Sequence, residues 1–306
     1  MDGLLIVDKP VGPTSHDVVA RVRRALGERR IGHTGTLDPL ASGLLPLVLG
    51  RATRLARFLS ASAKGYDAIV RLGTETDSYD AAGQPVGECY EGPMPDRATI
   101  DGALASFHGT FLQQPPIFSA KKIAGVRSHA LARQQRARRA PSVPAEPASK
   151  PVSVNVRDLQ LVGVEGRDVA LRLTCSAGFY VRSLAHDLGQ LLGTGAHLAA
   201  LRRTRVGDVR LEDAIALDTI VNDPNAAAAA VVPMAHMLMG LPAAALSDQG
   251  VRHARHGRSL GPEDLCAPLP EGTAGYTRLL DATGELVGVA EPKQAPGVLH
   301  PVVILV

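Results

Sequence analysis

Tryptophan is absent from this 306-residue chain, and aromatic side chains make up only 3% of it, so aliphatic residues have to build the core. The cysteines, Cys89, Cys175 and Cys266, are odd in number, far apart and form no CxxC pair. That pattern argues against a disulfide framework and a zinc knuckle and fits a reducing cytosol. No stretch approaches the roughly 18 apolar residues of a membrane span. The opening Leu4-Leu-Ile-Val7 is too short for a signal-peptide core. Phosphate loops of the GxxxxGK[ST] type, a strand-linked GxGxxG and a GxSxG elbow are all missing, so nucleotide hydrolysis, dinucleotide redox chemistry and the common serine-hydrolase site have no support. His253 and His256 stand three apart without an accompanying Cys or acidic set, and read as surface residues rather than metal ligands. These absences predict a soluble, cytoplasmic protein.

What is present describes a globular chain: 45% hydrophobic and 21% charged residues, with a net charge of +3. Such a mild excess leaves nucleic-acid binding to local clustering. Three clusters exist: Arg21 to Arg30, the arginines from 127 to 139, and Arg202, Arg203 and Arg205. Each alone reads as a solvated face; together they favour an RNA or DNA partner.

Leu4 to Val7 reads as a short buried strand, and Thr14 or Ser15 as the cap of a helix carrying Val18, Val19, Val22 and Leu26. Residues 32–50, with their glycines and prolines and no sustained period, read mostly as loop. Ala52 to Leu59 and Thr99 to Phe107 read as short helices. Alternation places Tyr66, Ala68, Val70 and Leu72 on one strand face, and Val169, Leu171, Leu173 and Cys175 on another. Residues 121–150 read as an exposed basic helix followed by a proline-rich loop. A helix carrying Leu184, Leu188, Leu191 and Leu192 follows Phe179-Tyr-Val181. Past about residue 245 the pattern becomes short strands with turns, a small β domain that should lean on the main body.

Two residues stand out chemically. Asp38 precedes Pro39 in the glycine-rich segment, where it reads equally as a helix cap followed by proline or as a carboxylate presented to a ligand. Arg182 falls at a helix start, where the dipole opposes a cation by up to about 1 kcal/mol. It is either a solvated surface arginine or the partner of a buried carboxylate, with Asp38 a candidate.

The segment Gly32-His-Thr-Gly-Thr-Leu-Asp-Pro-Leu-Ala-Ser-Gly-Leu-Leu-Pro-Leu-Val-Leu-Gly-Arg-Ala-Thr-Arg54 resembles the signature of the TruB family of pseudouridine synthases. Gly3 to Ser15, Lys64-Gly-Tyr66, Arg71 to Asp80, Pro115 to Lys121, Gly178-Phe-Tyr-Val-Arg182 and Gly195 to Arg203 resemble further family elements in the same order. The resemblance implies an α+β pseudouridine synthase fold: a central mixed, largely antiparallel sheet flanked by helices over residues 1–245, with a basic RNA-binding insertion at about 121–150. A small C-terminal β-barrel-like domain of PUA type would follow at 246–306.

It further implies isomerisation of the T-loop uridine at position fifty-five of tRNA to pseudouridine, with no cofactor, metal, guide RNA or obligate protein partner, by a monomer. Asp38 matches the nucleophile, Arg182 the arginine that pairs with it, and Tyr66 the tyrosine stacked on the target base. His33 matches the histidine that fills the vacated space, and Tyr180 and Leu201 match the uracil pocket. Lys64 and Asp80 match motif positions in the substrate-binding set. Phe118 and His129 depart from the tyrosines expected near the insertion, which bears on RNA contacts. Three rivals are a catalytic subunit of a guide-RNA particle, a tRNA-folding factor without essential chemistry, and a non-RNA enzyme with a coincidental aspartate loop.

Overall fold

In the computed structural model the first strand, β1 (Gly3–Lys9), is apolar on both faces for a reason the alternation makes plain. Leu5 and Val7 face one hydrophobic cluster, while Leu4 and Ile6 face another. A strand buried on both sides shows a continuous apolar run. The structure describes residues 1–116, 122–123, 126–127, 150–269, 275–295 and 297–305. Phe118, Lys121, His129 and most of the arginine-rich segment therefore lie outside the described residues.

Helix α1 (Ser15–Leu26) is capped by Thr14, whose hydroxyl accepts from the Asp17 amide while Asp17 Oδ2 accepts from the Thr14 amide. It ends at Gly27 in the left-handed region. Because Thr14 caps the helix, the Ser15 hydroxyl is free for another task described below.

The segment read as loop over 32–50 is largely strand. β2 (Ile31–His33) pairs with β3 (Ala41–Leu49), leaving only residues 34–40 between them. β3 is buried on both faces: Leu45, Leu47 and Leu49 join the cluster under α1, and Leu44 and Val48 join the opposite one. No alternation could show. Pro46 is tolerated because, on one edge, β3 changes partner around it, with Ala41–Gly43 pairing to one strand and Leu47–Leu49 to β2.

Helix α2 (Ala56–Ala61) follows a short 3-10 turn, and β4 (Lys64–Leu72) buries Tyr66, Ala68, Val70 and Leu72 on its inner face. β5 (Glu75–Thr76) and β6 (Pro85–Val86) form a small hairpin, and α3 (Arg97–Leu104) precedes β7 (Gly109–Gln113). β8 (Lys122–Ile123) pairs with β9 (Val126–Arg127) where an exposed basic helix was expected to begin. β10 (Val152–Glu165), β11 (Asp168–Cys175), α4 (Val181–Leu192) and β12 (Ala196–Val206) complete the core of the main body. β13 (Val209–Arg210), β14 (Ile215–Ala216), α5 (Leu217–Asn222) and α6 (Pro224–Ala229) close it.

The strand order is β14-β1-β3-β12-β4-β11-β10-β7, with β2 and β13 paired to β3 and β12 off this path. Among the described residues only the β1·β14 and β3·β12 pairs of this sheet are parallel, so it is mixed and largely antiparallel. α3 and α4 cover one half of the sheet, and α1, α5 and α6 the other.

At the C-terminal end, β15 (Ala243–Ala245), β16 (Thr277–Leu280), β17 (Leu286–Pro292) and β18 (Leu299–Ile304) form one sheet in that order. Among the described residues β15 and β18 do not pair, so the sheet is open rather than barrel-like. A helix, α7 (Asp248–Arg255), capped by Ser247, stands where only strands and turns were expected. Leu286, Val289 and Leu305 pack into the same cluster as Leu4, Ile6 and Leu44. Arg51 and Arg54 donate to the Leu305 and Ile304 carbonyls at 3.1 and 2.6 Å, tying this sheet to the main body. Among the described residues no helix is long and apolar enough to cross a membrane.

Candidate active site

The loop 34–40 is held at several points along its length. Thr34 N–H donates to Pro46 O at 3.1 Å, and Gly12 N–H donates to Pro39 O at 2.8 Å. Buried Ser15 grips Leu37 on both backbone groups, its hydroxyl oxygen accepting from the amide at 2.8 Å and donating to the carbonyl at 3.1 Å. Lys9, fully buried, donates to the carbonyls of Pro10 and Pro13 at 2.8 Å each and so fixes the turn that presents Gly12. Asp38 caps no helix: its carbonyl accepts from Ala41 N–H at 3.0 Å in a single turn, and β3 begins there. Its carboxylate is left for the cleft.

Beneath the loop lies Arg203, 1% exposed, in β12 opposite Gly43 of β3. Its Nε donates to Leu44 O at 2.7 Å, Nη2 to Gly35 O at 3.0 Å and Nη1 to Thr36 O at 3.5 Å. One planar guanidinium thus satisfies carbonyls on both sides of the loop, which a lysine could not match. This close approach requires glycine at 43: φ is 95°, and a Cβ there would lie 2.3 Å from Arg203 O. Gly43→Ala is accordingly expected to lower the free energy of unfolding by about 2 kcal/mol. A urea titration with an unchanged midpoint would contradict that contact.

Arg182 occupies the first turn of α4, and the structure resolves its odd placement. It is 7% exposed in its side chain, with Nε 2.9 Å from Asp38 Oδ2 and 3.8 Å from Asp80 Oδ2, and Nη1 donates to Ser78 O at 3.2 Å. Asp80 is itself buried and takes hydrogen bonds on Oδ1 from the Ser78 hydroxyl and the Ala82 amide. The start of α4 is set by Gln113, whose side-chain amide donates to Tyr180 O at 3.0 Å and accepts from Tyr180 N–H at 2.8 Å.

These elements enclose a cleft of about 270 Å³ whose lining includes Asp38, Lys64, Tyr66, Tyr180, Arg182 and Leu201. Six of the eight residues singled out from sequence therefore meet in one place. Asp80 stands behind Arg182 rather than on the wall. His33 sits at the end of β2 with its ring edge-on to His16 at 5.3 Å, and among the described residues its buried Nδ1 has no hydrogen-bond partner. Burial, with His16 and Arg203 nearby, pushes the His33 imidazole below its usual range.

The electrostatics are dominated by buried cations. Burial brings Lys9 down to about 8, Asp38 opposing and Arg203 reinforcing the shift. Lys64, donating to the Ser60 and Ser62 carbonyls, is likewise brought to about 8 by burial and by Arg203. Burial raises the Tyr66 phenol, although Arg203 beside it favours the phenolate. Burial also pushes the Cys175 thiol up to about 12, so it is an inert core group. Lys9, Lys64, Arg182 and Arg203 outnumber the carboxylates of Asp38 and Asp80, which leaves the cleft suited to a polyanion.

Sequence reasoning missed Lys9, Ser15, Gln113 and Arg203 as parts of the site. By sequence, Arg203 groups with Arg202 and Arg205 as a basic face. Bulges between Leu198 and Ala200 and between Arg203 and Arg205 break the alternation of β12, so parity along the strand does not report which side chain turns inward. Among the described residues no group of three or more His, Cys, Asp or Glu could hold a metal.

The model of the TruB family pseudouridylate synthase N-terminal domain matches residues 23–181, and that of the tRNA pseudouridylate synthase B C-terminal domain matches residues 182–239. The second match thus falls within the main body and ends before β15. The tRNA pseudouridine synthase B of Solibacter usitatus is 41% identical over 307 residues, covering 100% of both chains. That of Burkholderia lata is 40% identical over 306 residues, covering 98% of this chain and 89% of the other. Among solved structures, a Cbf5-Nop10-Gar1 complex contains a chain matching at a TM-score of 0.75 and 27% identity, over 100% of this chain and 85% of that one. An H/ACA RNP bound to a substrate RNA containing 2'-deoxyuridine contains another at a TM-score of 0.73 and 26% identity, over 99% and 85%. With matches across the signature loop, the Arg182 turn and the strands that bring them together, the chain belongs to the TruB family of pseudouridylate synthases.

Proposed function

We propose that this enzyme converts the T-loop uridine at position fifty-five of tRNA to pseudouridine, without guide RNA or cofactor, and that Asp38 is its nucleophile. The observation that carries this reading is the asymmetry of the ion pair: the Asp38 side chain is 41% exposed at the cleft, whereas its partner Arg182 is 7% exposed. A carboxylate held by a buried guanidinium stays fixed while keeping an open face for attack.

The isomerisation breaks the bond from ribose C1′ to N1 and makes one from C1′ to C5. N1 gains a proton and C5 loses one, so atoms balance without an oxidant or a second substrate. Asp38 opens the sequence by attack on the nucleotide. Tyr66 supports the flipped base by stacking and assists the late removal of the C5 proton. Tyr180 and Leu201 bound the uracil, Lys64 and Asp80 hold the walls, and His33 fills the space the base leaves. The surplus of buried cations suits the phosphate-rich T-arm.

In the same reading, residues 1–245 form the catalytic domain, with the insertion at 121–150 gripping RNA. Residues 246–306 form a PUA-type module, and the protein works as a cytoplasmic monomer. The test is to incubate unmodified tRNA transcript with the enzyme alone and map pseudouridine by chemical labelling and primer extension. One modified T-loop position is expected. Several positions, or none until a guide RNA is added, would overturn the proposal.

A further inference from the structure

The face of α4 that carries Arg182 also carries His186 and Gln190, at successive i, i+4 spacing. All three reach the same short segment, residues 75–80. Arg182 meets Ser78 O and Asp80. His186 stacks on Tyr79, with ring centroids 4.0 Å apart and planes inclined by 26°. Gln190 donates to Glu75 Oε1. The segment is anchored on its other side to β12, since Leu198 N–H donates to Tyr79 O and Ala81 N–H to Leu198 O, each at 2.9 Å.

Tyr79 is the point of stress in this arrangement. Its φ is 63°, and among the described residues only it and Leu238 are non-glycine residues in the left-handed region. A tyrosine there is unfavourable where glycine would be free, so the ring has to compensate through its contacts. The left-handed turn lets Ser78 O and the Asp80 carboxylate, on either side of Tyr79, both face Arg182.

We propose that Tyr79 is a positioning residue for the isomerisation: its stack on His186 locks the axial position of α4 and thereby the aim of Arg182 at Asp38. The inference rests on the catalytic reading of Asp38 given above. It assigns a role to a tyrosine that touches neither the cleft nor Asp38.

The test compares wild type with Tyr79→Ala, Tyr79→Gly, Tyr79→Phe and His186→Ala, measuring kcat and KM on tRNA and the thermal midpoint. Tyr79→Ala and His186→Ala are expected to lower kcat about tenfold with KM within about twofold, because a small misplacement of a catalytic group acts on the chemical step. Tyr79→Phe, which keeps the stack, should retain wild-type kcat. The double variant should be no slower than either single one. Tyr79→Gly is the discriminating case: relief of the left-handed backbone should give it a higher melting midpoint than Tyr79→Ala while kcat stays equally low. Recovery of kcat together with the midpoint in Tyr79→Gly would overturn the proposal, as would a change confined to KM. If Tyr79→Ala does not fold, His186→Ala leaves the strained backbone unaltered, and wild-type kcat in that variant overturns it. A wild-type enzyme that makes no pseudouridine on tRNA would instead refute the functional reading itself, so the two failures are distinguishable.

Discussion

Asp38→Asn is expected to lower kcat for pseudouridine formation by about a thousandfold or more, which corresponds to at least about 4 kcal/mol of barrier. The substitution is nearly isosteric, and an amide oxygen can still accept from Arg182 Nε, now 2.9 Å from Oδ2. What disappears is the negative charge and its nucleophilicity. Asp38 lines the cleft but is not buried in it, so the loop should fold as before and stability should change by less than about 1 kcal/mol. Affinity for tRNA should remain within about twofold, because phosphate contacts come from surface cations and not from this carboxylate. Single-turnover kinetics beside a filter-binding titration check both halves. Retained catalysis would remove Asp38 from the chemistry, and a parallel loss of binding would make it an RNA-contact residue instead.

The second large effect concerns the floor of the loop. Arg203→Met keeps much of the aliphatic stem but leaves the carbonyls of Gly35, Thr36 and Leu44 without their guanidinium donor in a buried setting. Unsatisfied buried acceptors are costly, and three together are expected to lower the unfolding free energy by roughly 3 kcal/mol, after allowing for the desolvation that the cation itself no longer suffers. Arg203→Lys should fall between, since one ammonium cannot span the same fork. Urea denaturation with unchanged slope reads the difference. A methionine variant within about 0.5 kcal/mol of wild type would show that the loop draws its order from Ser15, Lys9 and Gly12 alone.

These two substitutions separate charge from architecture. Asp38 is an exposed end point whose loss should silence the chemistry without loosening the fold. Arg203 and Ser15 lie one layer down, where removing a donor should loosen the loop that presents Asp38. Gly43 belongs to that lower layer as well, because its lack of a side chain is what allows β3 and β12 to close around Arg203.

Much of this site was legible in the chain. The signature from Gly32 to Arg54 identified the family, and the alternation from Tyr66 to Leu72 placed Tyr66 on an inward face, where it is buried. The awkward position of Arg182 at a helix start leaves a solvated arginine and a carboxylate partner equally open, and only the resemblance pairs it with Asp38. Local patterns carry such information because side-chain period and capping act over a few residues.

The rest depended on how distant strands align. β3 read as loop because burial on both faces erased its alternation. Arg203 read as surface because two bulges in β12 change which side chains turn inward. Ser15 read as a cap candidate, although Thr14 takes that role and Ser15 holds Leu37. The 2.9 Å approach of Arg182 to Asp38 arises only when β3 and β12 pair in parallel register and Gln113 fixes the start of α4. Sequence by itself determined the family, the chemistry-bearing residue types and most strand faces. Tertiary structure alone decided which cations became buried supports, because strand register and bulges are set by long-range packing that no local pattern encodes.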